Sequence, residues 1–125
     1  MVWCVSLNSD NIFNIAFDSA TVQMYCDRII GRFYALLCIY EGRDAFTKVI
    51  VETREDAYKS YKKYLSNFSA EIVGCKQFFI NNVNFITLLS MVEYMKLLDK
   101  NSHDKVRSSI FECINICKRM KGESE

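Results

Sequence analysis

The sequence predicts an α+β fold, an antiparallel sheet covered by helices in the element order ββαββαβαα. Three observations predict it. Two stretches near the N-terminus alternate apolar and polar residues, the apolar run from Phe33 to Tyr40 has the length of a strand, and the C-terminal part repeats apolar residues at helical spacing.

Trp3, Val5 and Leu7 alternate with smaller or polar residues, Asn8 to Asn11 supply turn chemistry, and Phe13, Ile15 and Phe17 alternate again, which predicts an opening hairpin. From Ser19 the period changes. Val22, Cys26, Ile29 and Ile30 recur as on a helix face, and Gly31 is placed to end that helix in a left-handed conformation. Phe33 to Tyr40 then reads as a strand buried on both faces, and Glu41-Gly42-Arg43-Asp44 turns it into a second strand, Phe46 to Glu52. Thr53-Arg54-Glu55-Asp56 is a capping box with Asp in place of Glu. It opens a second helix whose face is Ala57, Tyr61, Tyr64, Leu65 and Phe68, running to about Asn67. Glu71 to Ile80, with Gly74 inside, is assigned to a further strand. Asn81 to Asn84 cap a third helix, about Phe85 to Lys100, and a fourth follows from about His103 to Lys121. Residues 1–121 are expected to form a single domain and 122–125 a frayed tail. This element order resembles that of longin-type and small adaptor-subunit domains.

With 125 residues, half of them hydrophobic and a quarter charged, the chain can fill one core. Its 16 basic and 15 acidic residues leave a formal charge of +1, which excludes the global field of a general nucleic-acid binder. The apolar start is too short for a secretion signal, and the stretch from Phe85 to Leu98 is interrupted by polar residues and too short to span a membrane, so a cytoplasmic protein is expected. Proline is absent and glycine occurs four times, while Asn, Lys, Ile, Phe and Tyr are plentiful. That bias fits an AT-rich coding sequence, and a viral protein is the expected source.

Cys4, Cys26, Cys38, Cys75, Cys113 and Cys117 stand mostly among apolar residues, as buried reduced thiols do. Cys113 and Cys117, four apart, could hold a metal with His103 or Cys75, but they also extend the apolar stripe of Val106, Ile110 and Ile114, and no CxxC pair is present. No metal or cofactor is expected. His103 beside Asp104 fits the first turn of a helix better than a catalytic pair with a thiol, and Glu52, Glu55 and Asp56 fit a helix start. With no nucleotide-binding or metallopeptidase motif either, an enzyme is not expected.

Two surfaces are candidates for binding. Ten of the fourteen residues from Phe85 to Leu98 are apolar, more than one core-facing stripe uses. The surplus points to a protein interaction module whose interface is expected to include Met91, Tyr94, Met95, Leu97 and Leu98, with Tyr94 and Leu97 the outward pair. The expected partner is another protein or a second copy, as in a homodimer. The alternative is a small nucleic-acid-binding protein using Arg54, Tyr58, Lys59, Lys62 and Lys63, where cations interleave with aromatic residues.

Overall fold

A computed structural model describes residues 19–79 and 81–123. Four α-helices account for most of them: α1 (Ser19–Glu41), α2 (Arg54–Gly74), α3 (Val83–Leu97) and α4 (His103–Glu123), with a 3-10 turn, Lys76–Phe79, between α2 and α3. The expected α+β fold is therefore corrected to an all-helical one. The only β pairing among the described residues is an isolated bridge between Arg43 and Ile50. The expected hairpin of Trp3 to Leu7 and Phe13 to Phe17 lies outside the described residues.

The largest correction concerns α1, which runs through Gly31 and through the stretch assigned to a strand. The reason is a single stripe. Val22, Cys26, Ile29, Phe33, Leu36 and Tyr40 follow one another at alternating steps of four and three, so one helix face carries them all, and the last five are buried. Gly31 falls on the opposite, exposed face, with nothing near the position of an added Cβ. A short apolar run has no period of its own to separate strand from buried helix, and here the upstream stripe decides.

With Phe33–Tyr40 helical, Phe46–Glu52 has no strand to pair with and becomes a turn. Gly42 leaves α1 at φ +69°, where a side chain would meet the Glu52 carbonyl at 3.1 Å. The Asp44 carboxylate accepts from the Phe46 and Thr47 amides, and Asp44 donates its own amide to the Val49 carbonyl. Phe46, Val49, Ile50 and Val51 are left exposed, Phe46 almost completely.

The third correction replaces the strand Glu71–Ile80. Ala57, Tyr61, Leu65, Phe68 and Ile72 form one buried face, so α2 continues to Gly74 before the 3-10 turn buries Phe79. The capping signals hold: the Thr53 side chain accepts from the Asp56 amide, and Asn82 accepts from the Phe85 amide. Helix α4 runs through Gly122 to Glu123. With the sheet goes the likeness to longin-type element order.

The helices form a ring in which α1 packs on α2, α2 on α3, α3 on α4, and α4 closes on α1. Cross-links show that neighbours run antiparallel. Tyr40, at the end of α1, bonds His103 at the start of α4, while Lys121 near the end of α4 pairs with Asp27 near the start of α1. Arg54 at the start of α2 donates to the Tyr40 carbonyl, and Arg28 and Arg32 reach Glu71 near the end of α2. The core between them stacks Phe33 edge-on against Phe68 and Tyr40 edge-on against Tyr61, with Leu36, Val92, Ile110 and Ile114 filling in.

Candidate interaction surfaces

Helix α3 is apolar around most of its circumference. Phe85, Leu88, Val92 and Met95 point into the core and Leu98 at the cap is buried with them. On the opposite side Val83, Ile86, Tyr94 and Leu97 are exposed, Leu97 to 84% and Tyr94 to 43%. At 100° per residue these four fall within a narrow sector centred on Ser90, with Thr87 and Glu93 at its edges, all three exposed. The structure thus divides the residues singled out by sequence. Tyr94 and Leu97 face solvent, Met91 is half-buried, and Met95 and Leu98 belong to the core. Sequence reasoning missed Val83 and Ile86, which complete the outer stripe. Their signal was spacing: Val83 and Ile86 lie three apart, as Tyr94 and Leu97 do, and each precedes its counterpart by eleven residues, about three helical turns.

The Lys/Tyr face of α2 is dispersed by the fold. The Tyr58 hydroxyl donates to the Leu98 carbonyl at 3.1 Å and Lys62 Nζ to the Lys96 carbonyl at 2.8 Å, so both serve the C-terminus of α3, whose last carbonyls lack helical partners. Arg54 does the same for α1, donating to the Tyr40 carbonyl at 2.7 Å with its guanidinium 4.7 Å from the Tyr40 ring centroid. Lys59 and Lys63 remain exposed. The only ring of this set, Tyr58, is half-buried and already bonded.

The five cysteines among the described residues are free thiols, and Cys4 lies outside those residues. Cys26 and Cys117 are buried between α1 and α4 and Cys113 is buried against Met95 of α3, and burial pushes Cys26 up to about 11, Cys113 up to about 12 and Cys117 higher still, with neighbouring Asp27, Glu112 and thiols adding to the effect. They stay protonated at neutral pH, which makes them poor nucleophiles. Cys38 is half-buried, its sulfur 3.7 Å from Lys48 Nζ. No group of three His, Cys, Asp or Glu side chains able to hold a metal occurs among the described residues, and no helix there is long and apolar enough to cross a membrane.

A third arrangement was invisible in the sequence. Where α1 ends and α2 and α4 begin, Arg43, Arg54, Arg107 and His103 line an open pocket of about 510 Å³ together with Glu41 and Glu52. One carboxylate, Glu41, lies between two guanidinium groups, 3.0 Å from Arg43 Nε and 3.3 Å from Arg107 Nε.

Comparison of the chain with protein-family models, with curated proteins and with solved structures finds no match.

Proposed function

We propose that this protein is a non-catalytic interaction module whose outer α3 face docks a second copy of the chain. The observation that carries the proposal is the symmetry of that face about Ser90. If two α3 helices cross antiparallel at Ser90, Val83 of each lies opposite Leu97 of the other, Ile86 opposite Tyr94, and Thr87 opposite Glu93. Every apolar side chain of the stripe meets an apolar one, no like charges are brought together, and the small Ser90 at the crossing lets the helices approach. A two-fold interface needs this kind of self-complementarity, because the same patch serves both partners.

Energetics favour covering the face. Each large apolar side chain fully removed from water contributes roughly 1.5 to 3 kcal/mol, and four in one stripe form a patch of the kind that marks interaction sites. A single 15-residue helix falls short of the roughly 800 Å² per partner typical of a stable complex, so a reversible, micromolar-range dimer is expected. Sedimentation over a wide concentration range tests this. Wild type should shift from monomer to dimer, and Tyr94→Glu with Leu97→Glu should abolish the shift while leaving helix content unchanged. A wild type that stays monomeric throughout refutes the proposal.

A further inference from the structure

We infer that the pocket at the junction of α1, α2 and α4 binds a small phosphate monoester, held by Arg54, Arg107 and His103. Three features support this. The first is the supply of donors. Arg54 spends guanidinium nitrogens on the Tyr40 carbonyl and on the neighbouring Tyr40 hydroxyl, and Arg107 touches Glu41 through Nε, so each five-donor fork keeps N–H groups beyond these contacts. His103 is exposed, and its Nδ1 lies 2.6 Å from the Tyr40 hydroxyl. In the tautomer where that hydroxyl donates to Nδ1, the ring proton is on Nε2 and adds a third donor to the pocket.

The second feature is direction. The donors come from three separate elements: the first residue of α2, the first two turns of α4 and, through Arg43, the loop after α1. A carboxylate is satisfied by one planar fork, whereas a tetrahedral oxyanion offers acceptors to several elements at once. Third, the place already stabilises an anion, the protein's own Glu41 carboxylate between Arg43 and Arg107. Three guanidinium groups face only Glu41 and Glu52, so a positive charge is left over. Ile50, exposed at the rim, offers an apolar contact for the organic part of an ester. A polyanionic strand fits less well, because Lys62 on α2 is engaged on the Lys96 carbonyl and only Lys59 and Lys63 are left exposed to follow a chain of phosphates.

The test is calorimetric titration of the full chain with phenyl phosphate at fixed ionic strength, followed in parallel by the Nε–H NMR signals of arginine. Saturable binding that moves the Arg107 signal is expected. Arg107→Gln should weaken it by about tenfold or more, the usual loss for a charge-assisted hydrogen bond. Glu41→Gln, which removes the internal competitor, should instead tighten it, an effect that a merely structural role for these residues would not produce. Arg119→Gln, on the same helix and paired with Glu112, should change nothing. The inference is overturned if phenyl phosphate does not saturate, if Glu41→Gln fails to tighten binding, or if Arg119→Gln weakens it as much as Arg107→Gln. It is also overturned if a single-stranded oligonucleotide without a terminal phosphate competes as well as phenyl phosphate, since the diester backbone would then be the ligand.

Discussion

Replacing Gly31 by Ala decides between two incompatible local structures by the sign of a stability change. In the structure Gly31 is inside α1, twelve residues from its start, on the exposed face, and nothing lies within 4 Å of the Cβ that Ala would add. Glycine in a helix interior costs about 1 kcal/mol relative to alanine, because it loses more backbone freedom on folding. No clash offsets that gain, so Gly31→Ala should stabilise the fold by about 1 kcal/mol and raise Tm by roughly 3 to 5 °C. Had Gly31 ended the helix in a left-handed conformation, as the sequence alone predicts, the added Cβ would be strained and the change would destabilise by about 1 kcal/mol. The two outcomes differ by about 2 kcal/mol, well outside the error of a denaturant titration. Urea unfolding followed by circular dichroism is the assay, with an unchanged m-value as the check that the surface exposed on unfolding is the same in both proteins. A lower midpoint for the variant would refute the continuous helix, and with it the stripe from Val22 to Tyr40.

Two further predictions concern the core. The Tyr61 hydroxyl is buried and finds no hydrogen-bond partner among the described residues, so Tyr61→Phe should raise stability by up to about 1 kcal/mol in the same assay; a clear loss would mean the hydroxyl is satisfied. The second is an alkaline limit. Burial raises Cys26 to about 11 and Cys113 to about 12 from an ordinary value of 9.0, so the folded state keeps protons that the unfolded chain releases. Their contribution is fully present below pH 9 and is lost as the pH climbs through 11 and 12, and Cys113→Ala should flatten that part of the stability profile. An identical slope in the variant would show that other groups set the alkaline limit.

The legible parts of the fold were those where a local signal and the tertiary context agreed. Thr53 and Asn82 were found as caps because a short side chain accepting an amide three residues on is a local event. The start of α4 at His103 and the inner stripe of Val106, Ile110, Cys113, Ile114 and Cys117 were found because their period is unbroken. The strands failed where composition replaced period. Phe33 to Tyr40 is so apolar that every register looks buried, and only its phase with Cys26 and Ile29 reveals the helix. Gly31 was read as a helix end and Gly74 as a residue inside a strand, yet one sits on an outer helix face and the other in the last turn of α2. The outward position of Tyr94 and Leu97 was legible from their three-residue spacing and their closeness to the polar stripe of Thr87, Ser90 and Glu93. The arginine pocket was not, because its members are separated by tens of residues and meet only when α1 and α4 run antiparallel.

Which cations remain free is settled by helix ends rather than by sequence spacing. Arg54, Lys62 and the Tyr58 hydroxyl all turn towards the last carbonyls of α1 and α3, groups that would otherwise lack partners in the folded state. A lysine held that way must give up its carbonyl before it can reach a phosphate, so the α2 face offers Lys59 and Lys63 in place of five cooperating side chains. Since each phosphate contact adds about −0.9 to the slope of log K against log salt for duplex DNA, two free cations support a slope of only about −2 and weak, unspecific attraction. Arg54 differs from Lys62 in this respect, because a guanidinium that spends one nitrogen on a carbonyl still presents others. The same capping demand that disperses the lysine face therefore leaves donors at the junction pocket. The pocket and the outer face of α3 involve no common residue, so loss of phosphate binding in Arg107→Gln and loss of dimerisation in the α3 variant should be independent.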